Sequence, residues 1–294
     1  MSYPTAHEKK LYQLLLPLLL LVSWSARAQR VQLQQESFEV APGAGGSKVD
    51  VANTRIYTTA ATGSTDAYFL RTTNATIATD AAGYTPTPVS GGTLDGSGFW
   101  VGEDVQGIPS GTPNSPAFTP AVRNTTPRKA GIVTLNSVSI SGYASLQVSL
   151  GVLVARSVTS RMEQDDTLQV QVRFNGAGLW TTVGQLVGDQ GNGQGSSGSW
   201  RVDANLNGRS DDDDAALPTP SPAAGATMSD FTFDIAGSGS SLQTRVVVAE
   251  YGTSEEFAFD NIRVSGIAST NQAPVLANIE GTAIAYSEGG APPS

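Results

Sequence analysis

Residues 167 to 174 read Thr-Leu-Gln-Val-Gln-Val-Arg-Phe. In an extended chain Leu168, Val170, Val172 and Phe174 point one way, and Thr167, Gln169, Gln171 and Arg173 point the other. Such strict alternation is what a strand with one buried face requires. Beyond residue 28 no segment sustains the helical apolar period of about 3.6 residues. Comparable strand runs are Ile132–Ser141, Ser145–Ala155, Leu179–Val187, Phe231–Ile235, Leu242–Tyr251 and Phe257–Val264, with earlier ones at Ser37–Ala41, Arg55–Thr59, Tyr68–Thr72 and Phe99–Val101. Turn and loop chemistry separates them at Asn175-Gly176, Gly188–Gly198 and Pro218–Gly225. The pattern predicts an all-β chain, a two-sheet antiparallel jelly-roll β-sandwich over residues 30–268, with long polar loops such as Ala81–Thr126.

The last of these runs carries an internal contradiction. Phe257 and Phe259 share one parity, while Ile262 and Val264 share the other. Either the strand is buried on both faces, or its inward register slips near Asp260-Asn261. A bulge there would re-aim the Asp260 carboxylate.

The two ends read differently from the middle. Residues 1–28 have the layout of a secretory signal: a basic start with Lys9 and Lys10, an apolar run from Leu11 to Trp24, and Ala26-Arg27-Ala28 at the cleavage position. The apolar run is shorter than the roughly 20 residues that span a bilayer, so cleavage should leave no membrane insertion. At the other end, residues 269–294 read as a linker followed by the truncated start of a further β repeat. The expected product is secreted, extracellular or held at a cell surface, and bacterial rather than animal in type because it carries no cysteine.

Composition narrows the chemistry. The single histidine, His7, falls within the signal, and the chain has no cysteine. Serine–histidine triads, thiol nucleophiles and nitrogen- or sulfur-ligated zinc are therefore not expected of the exported chain. The formal net charge is −9 and no run of Lys or Arg exists, which argues against nucleic acid as a partner. An acidic, oxygen-rich chain suits hard cations and neutral polymers.

Several segments resemble a known class. They are Ser37-Phe-Glu39, Phe99-Trp-Val-Gly-Glu-Asp104, Ile140-Ser-Gly-Tyr143, Leu179-Trp-Thr-Thr-Val183, Asp203–Asp214 and Glu255-Glu-Phe-Ala-Phe-Asp-Asn-Ile262. This frame resembles the jelly-roll modules of secreted bacterial proteins, similar in layout to MAM, laminin-G-like and carbohydrate-binding sandwiches. Ala273-Pro-Val-Leu276 with Glu288-Gly is similar to the opening of a cadherin-like or immunoglobulin-like repeat. The resemblance implies a non-catalytic attachment module within a larger adhesin or extracellular protein. It also implies that Glu39 and Asp260 occupy the places of a Glu and an Asp that share a structural calcium.

A second calcium candidate comes from spacing. In Asp203–Asp214, oxygen donors fall at alternate loop positions: Asp203, Asn205, Asn207, the carbonyl of Arg209, and Asp211, with Asp214 closing the loop. Ser199–Val202 reads as a strand and the prolines after Leu217 forbid an exiting helix, so this would be a calcium loop in a β context. A solvated acidic loop is the alternative. Among aromatics that could contact a sugar, Trp200 borders this loop and is the candidate ligand-binding residue, with core or loop packing as its alternative, and Trp180 is expected in the core. The expected partner is an extracellular glycan or surface protein. Paired carboxylates could support glycoside hydrolysis, with Glu163, Asp165 and Asp166 or Glu250, Glu255, Glu256 and Asp260 as the clusters. That enzyme and a plain structural spacer are the alternative readings.

Overall fold

The computed structural model describes residues 29–54, 68–73, 95–103, 105, 130–156, 162, 166–188, 200–208, 228–250 and 255–269. The signal region, Arg209, Asp211, Asp214 and the tail from residue 270 lie outside them, as does the strand read at Arg55–Thr59. Twelve strands are present among the described residues: β1 Arg30–Glu36, β2 Tyr68–Thr72, β3 Phe99–Glu103, β4 Gly131–Thr134, β5 Val138–Ser139, β6 Tyr143–Arg156, β7 Thr167–Phe174, β8 Thr181–Gly188, β9 Trp200–Val202, β10 Ser229–Asp234, β11 Ser241–Ala249 and β12 Glu255–Ala268.

They form two antiparallel sheets packed as a β-sandwich. The first runs β10-β6-β12-β3-β2, with β1 also paired to β12; the second runs β4-β11-β7-β8-β9, with β5 also paired to β11. On β12, β3 pairs with Phe257–Phe259 and β1 pairs with Ile262–Ile267. On β11, β4 and β5 divide the edge in the same way.

Alternation explains the layering. Leu168, Val170 and Val172 of β7, Leu242, Val246 and Val248 of β11, and Val148, Leu150 and Val152 of β6 all enter one core. At its centre stand five rings. Trp100 lies edge-on to Phe38 with centroids 5.6 Å apart, 5.4 Å from Phe69, and stacked on Phe259 at 6.4 Å. Phe257 completes the group, 6.1 Å from Phe69. Burying rings of this size contributes the largest share of core free energy per side chain. Gly184 of β8 lets the sheets close: a Cβ there would sit 2.3 Å from the Phe233 ring of β10.

The bulge at Asp260-Asn261 is present. Between Asp260 and Arg263 the pairing of β12 with β6 slips by one residue, and Asn261 has φ +53°. Phe257, Phe259, Ile262 and Val264 consequently all reach the same core.

Two strands differ from the reading of the sequence: the run at Ile132–Ser141 is broken into β4 and β5, and the first strand is displaced. Ser37–Ala41 is not a strand, and the first strand lies earlier, at Arg30–Glu36. Its most buried side chains are Gln34 and Glu36, polar groups that hide the apolar alternation. Bonds offset the burial: the Gln34 amide nitrogen donates to the Asn136 carbonyl (2.8 Å), though its Oε1 has no partner, and Glu36 accepts from Phe38 N–H (2.7 Å), Ser47 and Lys48. Glu36 thereby turns the chain sharply enough to place Phe38, at φ +56°, in the ring cluster.

Candidate functional site

The outer face of the second sheet is polar because β7 and β11 alternate in step. Register sets Arg173 opposite Gln243 and Gln171 opposite Arg245. On the other side of β7, Gln169 faces Gln185 and Gln171 faces Thr182. The side chains join into two hydrogen-bonded chains, one from Gln185 through Gln169 and Gln171 to Arg245, the other through Arg173 and Gln243. Gln169 donates to Gln185 (3.0 Å), Gln171 donates to Gln169 (2.7 Å), Arg245 Nε donates to Gln171 (2.8 Å), and Arg173 Nε donates to Gln243 (2.7 Å). Gln243 in turn donates to Asp50 and to the Leu135 carbonyl, each at 3.1 Å. Connected carboxamides of this kind fix one another's orientation.

Trp180 closes both hydrogen-bonded chains at their arginines. The turn after β7 is Asn175-Gly176, both at positive φ (56° and 65°), with Ala177 N–H bonded to the Phe174 carbonyl. Asn175 Oδ1 accepts from Ser240 N–H (2.8 Å) and Ser240 Oγ (3.0 Å), which pins this turn to the connection before β11. Thr181 then pairs with Val172, so Trp180 arrives beside Arg173. The guanidinium carbons of Arg173 and Arg245 lie 4.5 Å and 4.2 Å from the centre of the Trp180 ring. Cation–π contacts at these distances are favourable. Burial, reinforced by the Arg173 charge, lowers the Arg245 pKa to about 10. Neither arginine has an ion-pair partner among the described residues. The four glutamines are buried, whereas Arg173, Trp180 and Arg245 are half-buried and Leu179 is 92% exposed. The accessible part of the face is therefore this cation–aromatic platform.

Trp180 thus stands outside the core expected of it, and Trp200 follows its packing alternative. Trp200 is fully buried, its ring 5.7 Å from Phe257 within the main core, and it offers no face to a ligand. Its position in β9 points inward toward the first sheet, and bordering a polar loop did not expose it. Trp180 is the outward one.

The second region of interest gathers Glu39 and Asp260 on one short segment. Glu39 accepts from Ser97 N–H (2.7 Å), Ser97 Oγ (3.3 Å) and Gly98 N–H (2.5 Å). Asp260 Oδ2 accepts from Asp95 N–H (3.0 Å). The Gln35 carboxamide bridges Asp95 and Asn261, 2.8 Å from each. Gly96, at φ +88°, leaves room for the Glu39 carboxylate, which a Cβ would meet at 2.2 Å. Both carboxylates hold the entry to β3, and with it Trp100. Asp260 is fully buried and its Oδ1 has no hydrogen-bond partner. Burial raises its pKa to about 8, with Glu39 and Asp95 adding to the effect and the Asp95 and Asn261 N–H groups opposing it.

In the spaced loop, Asp203 is buried and its carboxylate caps the turn, accepting from Asn207 N–H (3.1 Å) and Gly208 N–H (2.7 Å). Asn205 Oδ1 also accepts from Asn207 N–H (3.0 Å). Arg209, Asp211 and Asp214 lie outside the described residues. Among the described residues no three His, Asp or Glu side chains form a ready-made metal centre. Of the carboxylates weighed for hydrolysis, Asp166 and Glu250 are fully buried, and Glu163, Asp165 and the side chains of Glu255 and Glu256 are not among those described. No helix among the described residues is long and apolar enough to cross a membrane.

No family model matches the chain, and no curated protein matches it. Among solved structures, it is similar to the K3 cleaved adhesin domain of Lys-gingipain from Porphyromonas gingivalis W83, at 9% identity and a TM-score of 0.32, covering 81% of this chain and 99% of that one. A likeness at that level does not extend to what this chain binds.

The packing predicts opposite responses for the two tryptophans. Trp200→Ala should cost about 3–5 kcal/mol of unfolding free energy, and Trp180→Ala about 1 kcal/mol, as read by denaturant melts of the two variants. A larger loss from Trp180→Ala would contradict the assignment.

Proposed function

We propose that this chain is a non-catalytic extracellular binding module, exported by means of residues 1–28, that serves adhesion through glycan recognition on the outer face of its second sheet. The observation that carries the reading is the platform of Arg173, Trp180 and Arg245 on a rigid, amide-lined sheet face. Binding sites are set apart by a few fixed polar groups beside an aromatic surface, and long, regular strands hold such groups more firmly than loops do. The role of Trp180 is to order the two guanidiniums, which then present donors to sugar oxygens. A secreted protein should therefore be retained by at least one extracellular polysaccharide in affinity electrophoresis, with no release of reducing sugar. Trp180→Ala should weaken that retention at least tenfold while leaving the melt nearly unchanged. Retention by none would defeat the reading.

Calcium is the second part of this proposal. What supports it is Asp260 Oδ1, a buried oxygen without a partner, beside Asp95 and Glu39. Hard oxygen donors suit calcium, which takes six to eight of them, so backbone carbonyls and water would have to complete any shell. A bound cation would hold the Asp260 carboxyl ionised and stiffen the entry to β3. Millimolar calcium is expected to raise the melting temperature by several degrees relative to chelator. Asp260→Asn should abolish that shift, whereas its loss in Asp203→Asn instead would move the ion to the Asp203 loop. An unchanged melt in the parent protein would remove calcium from the account.

A further inference from the structure

The same platform has a charge that a neutral sugar would leave uncompensated. Each arginine spends its Nε–H on a glutamine carboxamide, Arg173 on Gln243 and Arg245 on Gln171, and both guanidiniums lie over the Trp180 ring. Their terminal nitrogens have no partner among the described residues. This is unexpected in a chain with 26 acidic and 17 basic residues, where a carboxylate is the commoner neighbour. Two like charges sharing one half-buried ring repel, and the lowered basicity of Arg245 reflects burial first and that repulsion second. An anion set against both groups would relieve the repulsion. The planar fork of a guanidinium matches a carboxylate through paired hydrogen bonds, which a lysine pair would not provide.

We propose that Arg173 and Arg245 together receive the carboxylate of an acidic saccharide, a uronic acid residue within a polysaccharide chain. This rests on the reading of the module as a glycan binder and names the class of glycan. The terminal N–H groups of two guanidiniums outnumber what one carboxylate can accept, and the ring hydroxyls of a uronate offer further acceptors that an acidic peptide side chain lacks.

The test is isothermal titration of the secreted protein with polygalacturonate, the same polymer after reduction of its carboxyl groups, dextran sulfate and polyglutamate. Polygalacturonate should bind, and carboxyl reduction should weaken binding at least tenfold. Arg245→Gln should do the same without lowering the melting temperature by more than a few degrees. Should that variant fold poorly, Arg173→Lys keeps the charge, loses the fork, and should still weaken polygalacturonate binding severalfold. Equal binding of the reduced polymer would overturn the acidic class and leave a neutral-glycan module standing. Equal binding of polyglutamate or dextran sulfate would overturn uronate recognition in favour of a general polyanion surface. Failure of every polysaccharide, neutral ones included, would overturn the module reading itself.

Discussion

Strand β12 has to bury Phe257 and Phe259 and, three residues later, Ile262 and Val264 on the same side of the same sheet. A regular strand cannot do this, since side chains alternate with a period of two. One extra residue at Asp260-Asn261, with Asn261 in the left-handed region, restores the inward register. Much of the first sheet follows from that step. It lets β3 dock along the first half of β12 and β1 along the second. Trp100 and Phe38 can then close on Phe259 from both.

The same step sets the electrostatics of the sheet edge. It turns Asp260 toward the segment at Asp95–Gly98, where Glu39 already accepts two backbone N–H groups. Arg71 reinforces the arrangement by donating to the carbonyls of Phe38 (2.6 Å) and Glu39 (2.9 Å). Buried polar groups are costly unless bonded. Asp260 Oδ1 lacks a hydrogen-bond partner and sits beside Asp95 and Glu39, which is why a cation is a physical question at this position. The second sheet solves the polar problem differently, with carboxamides bonded to one another and cations capped by an aromatic ring.

Alternation made much of the fold legible in the sequence: β7 and β2 fall on the residues read from it, and β6, β8, β10, β11 and β12 within a few. The contradictory parity of Phe257-Phe259 and Ile262-Val264 left two readings open, a strand buried on both faces or a slip near Asp260-Asn261, and the slip is present. The first strand was illegible because its inward residues are Gln34 and Glu36, whose burial depends on partners distant in sequence such as Asn136. The platform was illegible for a related reason. Arg173 and Arg245 each look like an ordinary outward residue, and only the pairing of β7 with β11 brings them to one ring. Proximity in sequence misled in the case of Trp200, which borders an acidic loop yet faces the core. What could have pointed to Trp180 was its place four residues beyond the Asn175-Gly176 turn, where an aromatic can swing back over the preceding strand.

The claim underlying this account is that Asn261 holds a left-handed bulge that a regular strand residue cannot adopt. The most direct measurement compares the melting temperatures of Asn261→Gly and Asn261→Val. In a regular strand valine is favoured and glycine disfavoured; at a positive φ the order inverts. The account predicts that the glycine variant melts within a few degrees of the parent and the valine variant well below both. A valine variant as stable as the glycine variant, or more so, would contradict it.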